Sequence, residues 1–225
     1  MFNNIAHRYD FLNHLLSFGI DRCWRTKVIK LIKKNLEKNL HPVILDVATG
    51  TADLAISAVS LNPEKIIGID ISEEMLNVAK KKILKKNLNH LIEFEIAEAE
   101  SIPFSDNKFD ATMVAFGVRN FYDTAKGLQE MLRILKPGGI AVILEFSQPK
   151  VFPVKQIYAF YFKHILPFVG RFFSKDISAY NYLPDSVYQF AEGDEFLLIM
   201  KDAGFNHVQK KPLLFGISTI YSGKK

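Results

Sequence analysis

The fold is decided by residues 43–54, which read VILDVATGTADL. Residues 43–47 form an apolar run that is interrupted only by Asp46, and such a run predicts a buried strand. The run ends at residues 48–52, where no side chain is large enough to keep a ligand from the backbone. Asp53 then places a carboxylate at the start of a helix, where the helix dipole favours negative charge. A strand, a small-residue turn and a helix start in this order indicate a ligand-binding corner.

A second acidic residue follows at the spacing that a nucleoside-binding site requires. Residues 65–69 form another apolar strand, and Asp70 ends it 20 positions after Gly50. An acidic side chain at this point accepts hydrogen bonds from ribose hydroxyls. A dinucleotide site has a glycine and an uncharged helix start at this point, whereas this chain has Ala52 and Asp53. These two residues therefore disfavour binding of a pyrophosphate. S-adenosylmethionine carries a sulfonium cation and no phosphate, so we predict this cofactor.

The rest of the chain predicts a doubly wound, mostly parallel α/β sheet in one domain. The predicted elements are strands 43–48, 65–70, 91–96, 108–116 and 139–146, helices 53–61, 72–86, 122–135 and 195–203, and an antiparallel strand pair at 207–211 and 214–221. We expect residues 1–40 to form a helical lid, 41–150 the cofactor-binding core, 151–190 a substrate-side insertion, and 191–225 the C-terminal helix and strand pair. Ligands bind such seven-stranded sheets at the carboxyl ends of the strands.

Composition limits the classes of function. The 225 residues carry a formal net charge of +5 and a single cysteine, Cys23. One cysteine excludes an internal disulfide and offers no metal cluster, so we expect no metal and a reducing, cytoplasmic location. The lysines of residues 80–86 fall on a helix with an apolar stripe, which predicts that they form its solvated face. No nucleic-acid-binding module accompanies the positive charge, so we expect no nucleic acid partner.

Residues 151–174 are unusually rich in aromatic side chains, which leaves two interpretations open. The segment either packs on the sheet as a core helix, or forms an apolar wall for a substrate tail or for a membrane surface. A transient peripheral contact with the inner face of a membrane and a homo-oligomer therefore both stay open.

Longer motifs carry a family resemblance that runs nearly from end to end. They include residues 2–6 (FNNIA), 9–13 (YDFLN), 45–53 (LDVATGTAD), 116–120 (FGVRN), 135–139 (LKPGG) and 182–186 (YLPDS). With these motifs the sequence resembles the ubiquinone/menaquinone biosynthesis C-methyltransferase family, among the class I S-adenosylmethionine-dependent methyltransferases with a Rossmann-like sheet. The resemblance implies cofactor contacts at Thr51, Asp70, Glu98 and Ala99, in addition to Asp46 and Gly50 of the corner. Relatives often have Asn or Asp where this chain has Glu98, whose longer carboxylate can still accept the adenine amino group.

The resemblance also implies a substrate, a demethylated quinol with a polyprenyl tail, and a chemistry for it. Loss of the phenolic proton makes a ring carbon nucleophilic enough to take a methyl group, so catalysis depends on in-line positioning and on stabilising the phenolate. We expect Arg119 to stabilise the phenolate directly or through a water molecule, and Asn120 to orient that water or the ring hydroxyl. Tyr9, Asp10, Asn13 and Arg25 are predicted lid or substrate contacts.

Alternatives remain both for the roles of single residues and for the function of the whole protein. Arg119 could instead pair with a carboxylate, and Asn120 could serve a turn. The acceptor could be another apolar phenolic or sterol-like molecule. The chain could also be a basic RNA-binding protein of methyltransferase fold, whose binding would weaken steeply with salt.

Overall fold

The computed structural model describes residues 19–36, 41–161 and 186–225. The predicted lid contacts Tyr9, Asp10 and Asn13 lie outside these residues. The helices are α1 (Ile20–Asn35), α2 (Asp53–Ala58), α3 (Glu73–Lys85), α4 (Thr124–Ile134), α5 (Val154–Phe160) and α6 (Asp194–Asp202). The strands are β1 (Val43–Val47), β2 (Lys65–Asp70), β3 (Ile92–Ile96), β4 (Phe109–Ala115), β5 (Leu135–Phe146), β6 (Asn206–Leu213) and β7 (Ser218–Lys224).

The strands form one seven-stranded sheet in the order β3-β2-β1-β4-β5-β7-β6. Strands β1 to β5 are parallel, and β7 is antiparallel to both β5 and β6. The doubly wound, mostly parallel architecture is therefore confirmed. The chain reverses its direction of strand addition between β1 and β4. In such sheets a ligand binds in the crevice outside the carboxyl ends of the strands at this reversal.

The fifth strand and the closing strand pair differ from the sequence prediction. Strand β5 begins at Leu135 rather than 139, because Leu135 is extended and pairs with Phe109 before a register shift. Strand β7 begins at Ser218 because residues 214–216 form a 3-10 turn. Apolar residues continue through this turn, so an alternation pattern could not separate turn from strand.

Helix α1 fixes the back of the crevice through an aromatic cluster. Trp24 is buried, and its ring centroid lies 6.1 Å from that of Phe116 and 6.3 Å from that of Phe146. The rings of Phe116 and Phe146 are stacked, with their centroids 4.4 Å apart. The cluster joins α1 to the ends of β4 and β5, so the part of the N-terminal region that the structure describes packs on the core.

Gly117 allows the loops after β1 and β4 to touch, and its replacement by alanine tests this contact. A Cβ atom on Gly117 would lie 2.7 Å from the Cβ of Ala48. We expect Gly117→Ala to lower the free energy of unfolding by about 1–3 kcal/mol, as overpacking does. Ala48 has a φ of 51°, which glycine adopts without strain. The Ala48→Gly/Gly117→Ala double variant is therefore expected to recover most of the loss in urea titrations, and an equal loss in both proteins would exclude this collision as the cause.

Candidate functional site

A cleft of about 550 Å³ lies at the carboxyl ends of β1, β2, β3 and β4, within the range of roughly 300–1,000 Å³ common for small-molecule sites. It includes five of the residues predicted as cofactor or catalytic contacts: Gly50, Asp70, Glu98, Ala99 and Asn120. The structure thus brings together residues that lie at or just after the ends of four different strands. The topology explains this, because parallel strands end at the same edge of the sheet.

Asp70 lines the cleft, and two backbone N–H groups hold its carboxylate. Its Oδ2 accepts a hydrogen bond of 2.8 Å from the Gly50 backbone N–H, and its Oδ1 accepts one of 2.9 Å from that of Ser72. Burial raises the pKa of Asp70 above its ordinary value, and the hydrogen bonds from Ser72 and Gly50 oppose that rise. Each carboxylate oxygen can accept more than one hydrogen bond, so Asp70 retains capacity for two ligand hydroxyls. This donor and acceptor arrangement fits the ribose of S-adenosylmethionine.

Asp46 does not line the cleft and instead lies beneath the corner. The side chain is fully buried, and its Oδ2 accepts hydrogen bonds from the Thr49 hydroxyl at 2.6 Å and from the Ala55 backbone N–H at 3.1 Å. Asp46 therefore fixes the turn to the start of α2. Burial raises its pKa to about 7, although the bonds from Thr49 and Ala55 lower it.

Thr51 also lies outside the cleft lining and belongs to a charged network. The Lys82 Nζ donates to the Thr51 hydroxyl at 3.2 Å and pairs with Asp53. Arg25 approaches the same carboxylate from α1, with its Nη2 3.3 Å from Oδ2 of Asp53, and its Nη1 lies 2.7 Å from Asp21. Arg25, predicted as a lid or substrate contact, is thus placed against the cofactor corner.

Lys82 corrects the prediction that the lysines of 80–86 form a solvated face. Its side chain is 22% exposed and reaches across to α2, whereas the neighbouring Lys81 is exposed. The sequence alone could not distinguish Lys81 from Lys82. Consecutive residues of a helix point in different directions, and only the packing of the helix decides which of them faces the protein.

Removing the Lys82 ammonium is expected to weaken binding of the predicted cofactor. Lys82→Met would leave the Thr51 hydroxyl and the Asp53 carboxylate less constrained, and hydrogen bonds to charged groups contribute roughly 1.5–3 kcal/mol. We expect the KM for S-adenosylmethionine to rise about tenfold with little change in kcat, because a loss of ~1.4 kcal/mol in binding free energy weakens binding by a factor of ten. Lys81→Met is the matched control on the same helix. Equal KM values for the two variants would contradict a role for Lys82.

Arg119 lies behind the cleft in a buried ion pair. Its Nη1 donates to Glu145 Oε1 at 2.7 Å and to the Phe116 carbonyl at 2.6 Å, and its Nε donates to the Ser186 hydroxyl at 3.2 Å. The Arg119 side chain is 6% exposed and that of Glu145 is not exposed. Arg119 therefore pairs with a carboxylate, which is the alternative that the sequence left open. Of the two predicted catalytic side chains, Asn120 lines the cleft and Arg119 does not.

Glu145 is a residue to which the sequence alone assigned no role. It is the last residue but one of β5, and its Oε1 also accepts a hydrogen bond of 2.8 Å from the Phe146 backbone N–H. Burial of a carboxylate in an apolar strand is costly unless the carboxylate is paired. Its position in the apolar sequence of β5 could therefore have indicated that Glu145 has a partner. Glu145 and Arg119 together connect the carboxyl ends of β5 and β4.

In 19–36, 41–161 and 186–225, no group of three or more His, Cys, Asp or Glu side chains is arranged to hold a metal ion. Within those same ranges, no helix has the length and apolar character needed to cross a bilayer.

Comparisons with known proteins agree with the geometry. A model of the ubiE/COQ5 methyltransferase family matches residues 1–225. A demethylmenaquinone methyltransferase from Bacteroides fragilis is 48% identical over 226 residues, which cover 100% of this chain and 91% of the relative. A ubiquinone/menaquinone biosynthesis C-methyltransferase UbiE from Geotalea daltonii is 48% identical over 227 residues, covering 100% and 94%. The solved structure of a SAM-dependent methyltransferase from Thermotoga maritima has the same fold, with a TM-score of 0.67, 18% identity and coverage of 100% and 97%.

Proposed function

Because this chain belongs to the ubiE/COQ5 methyltransferase family, we propose that it methylates a ring carbon of a demethylated prenyl quinol. It is an S-adenosylmethionine-dependent methyltransferase of quinone biosynthesis, as its full-length relatives indicate. Demethylmenaquinol is the substrate that we favour, since a relative that is 48% identical is named for it. The demethylated ubiquinol precursor is the second acceptor to test.

The observation that carries this proposal is the cleft at the strand reversal, which Asp70 lines while Gly50 and Ser72 hold its carboxylate. We assign the Asp70 carboxylate to the ribose hydroxyls and the Glu98 carboxylate to the adenine amino group, next to Ala99. These residues come from β2 and from the loop after β3, so the nucleoside end of the cofactor lies on that side. The reacting end then faces the loop of residues 116–120.

The chain itself supplies positioning and electrostatics. When bound, S-adenosylmethionine supplies the electrophilic methyl group. Asn120 lines the cleft, so its amide can donate a hydrogen bond to the quinol oxygen as negative charge develops there. Arg119 acts as a positioning residue, because its guanidinium bonds the Phe116 carbonyl and Glu145 and thereby fixes the loop that carries Asn120. Phe116 and Phe121 give the same cleft apolar walls that exclude water from the ring.

Product mass spectrometry tests the proposal. The purified protein is incubated with S-adenosylmethionine and either reduced demethylmenaquinone or the demethylated ubiquinol precursor. We expect demethylmenaquinol to gain the mass of one methylene group, and Asn120→Ala to reduce the rate by about 10²-fold or more, as loss of one oxyanion donor does. Cofactor binding without methylation of either quinol would contradict the substrate and leave the methyltransferase fold in place.

A further inference from the structure

Tyr122 presents a fully exposed aromatic side chain on the wall of the cofactor cleft. Because of this exposure, the ring adds nothing to the packing of the described part of the chain. Single exposed apolar side chains are common on protein surfaces, so the position of Tyr122 on the cleft is what needs an explanation. Tyr122 also lies outside the motifs that carry the family resemblance, and the family therefore supplies no role for it.

The wall of the same cleft carries a second exposed apolar side chain. Ile71 is 65% exposed, and it directly follows Asp70, which we assign to the ribose hydroxyls. Ligand sites combine apolar walls with a few polar groups that fix the orientation of the ligand. Tyr122 and Ile71 thus give the cleft apolar area that water covers until a ligand binds.

The backbone on both sides of Tyr122 is held in place. The Phe121 N–H donates to the Val118 carbonyl at 3.2 Å, which closes the turn before Tyr122. The Asp123 N–H donates to Oε1 of Glu100 at 3.1 Å. A tyrosine side chain has only two rotatable χ angles, so ordering it against a ligand costs little conformational entropy. The fold therefore presents the ring from a fixed position while the ring itself stays uncovered.

The bond between Asp123 and Glu100 places Tyr122 at the nucleoside end of the cleft. Glu100 belongs to the loop after β3, and this loop also carries Glu98, which we assign to the adenine amino group. The segment that carries Tyr122 follows β4, so the bond brings the two loops into contact. Tyr122 and the adenine contact are thus neighbours, although they follow different strands.

We propose that the Tyr122 ring stacks on the adenine base of bound S-adenosylmethionine and covers the nucleoside end of the cleft. The proposal rests on the proposed function, which supplies the cofactor, and it adds a cofactor-binding residue that the family motifs do not contain. Adenine is planar, and aromatic side chains stack on the faces of nucleic acid bases. The stacked ring keeps water from the base and leaves the methyl transfer itself to the residues around Asn120.

Calorimetric titration of the full chain with S-adenosylhomocysteine, the product form of the cofactor, tests the stacking. We expect Tyr122→Ala to weaken binding about tenfold, as loss of an aromatic ring beneath a base does. Tyr122→Phe is expected to bind as the wild type does, because stacking needs the ring and not the hydroxyl. Tyr188→Ala is the matched control, since Tyr188 is also exposed but does not line the cleft. Wild-type affinity in Tyr122→Ala, or an equal loss in Tyr122→Phe, overturns the proposal.

Adenosine is the second probe, and it shows which part of the cofactor Tyr122 contacts. Adenosine has the base and the ribose but lacks the amino-acid part. The affinity lost in Tyr122→Ala is therefore expected to be the same factor for adenosine as for S-adenosylhomocysteine. A loss for S-adenosylhomocysteine alone would place the ring against the amino-acid part and overturn the stacking on adenine.

Steady-state kinetics separate this proposal from the other planar ligand, the quinol ring. In Tyr122→Ala we expect a higher KM for S-adenosylmethionine, with kcat and the KM for the quinol near their wild-type values. A higher KM for the quinol with an unchanged KM for S-adenosylmethionine would assign Tyr122 to the acceptor, and the proposal fails. If the wild type methylates no quinol but its affinity for S-adenosylhomocysteine depends on the Tyr122 ring, the proposed substrate fails and the stacking stands.

Discussion

Replacing Glu145 by alanine is expected to lower the free energy of unfolding by about 3–5 kcal/mol, because it leaves a buried guanidinium without its counter-charge. Arg119 and Glu145 are joined at 2.7 Å, and both side chains are almost completely buried. Glu145 also accepts hydrogen bonds from the backbone N–H groups of Phe146 and Arg119. Urea titrations followed by circular dichroism give the measurement.

The double variant Arg119→Met/Glu145→Met is the control for this experiment. Removing both charges and keeping side-chain volume is often neutral or even stabilising in other proteins, whereas removing one charge is not. We therefore expect the double variant to be clearly more stable than Glu145→Ala. If both proteins lose the same free energy of unfolding, the hydrogen bonds to the backbone, and not the ion pair, are what Glu145 contributes.

The same double variant separates a positioning role of Arg119 from a purely structural one. A folded double variant still lacks the bond from Arg119 to the Phe116 carbonyl, which holds the loop that carries Asn120. We expect its kcat to fall while its KM for S-adenosylmethionine stays near the wild-type value, because the proposed cofactor contacts Asp70 and Glu98 belong to the ends of β2 and β3 and not to the loop after β4. Normal kcat in the stable double variant would contradict the positioning role.

The sheet could be predicted from the sequence because each strand is marked by the residues of its own short segment. Buried parallel strands appear as short apolar runs, and the small residues of the corner mark where the first run ends. Polar residues such as Asp70 and Asn120 follow directly after strands, and topology alone brings such positions to one edge. For this reason the cleft contains five of the predicted site residues.

The partners of the site residues could not be predicted, because they depend on tertiary contacts. Arg119 and Glu145 are 26 positions apart, and Thr51 and Lys82 are 31 apart. Nothing in either local sequence specifies which way these side chains point. The same limit explains why the sequence could not show that Asp46 bonds Thr49 and Ala55 beneath the corner.

Stability is expected to fall as the pH rises from about 4 to about 7, and Asp46→Asn is expected to remove much of this dependence. Burial raises the pKa of Asp46 from its ordinary value of 3.8 to about 7 in the folded protein. Between these two values the folded protein holds a proton that the unfolded chain has released, so stability decreases with pH. The contribution is complete below pH 4 and is lost as the pH passes through 7. At 1.36 kcal/mol per pKa unit, the change is on the order of 4 kcal/mol.

The asparagine variant isolates this effect because its amide oxygen can still accept the hydrogen bonds from Thr49 and Ala55. Burial also raises the pKa of Asp70, but Asp70 is present in both proteins, and its contribution largely cancels in their difference. We therefore expect the wild-type free energy of unfolding, relative to that of Asp46→Asn, to decline between pH 4 and 7 and to level off above about pH 8. Urea titrations at several pH values without cofactor measure this difference. A constant difference across this range would mean that Asp46 is already ionised at pH 4, and that its bonds to Thr49 and Ala55 outweigh the cost of burial.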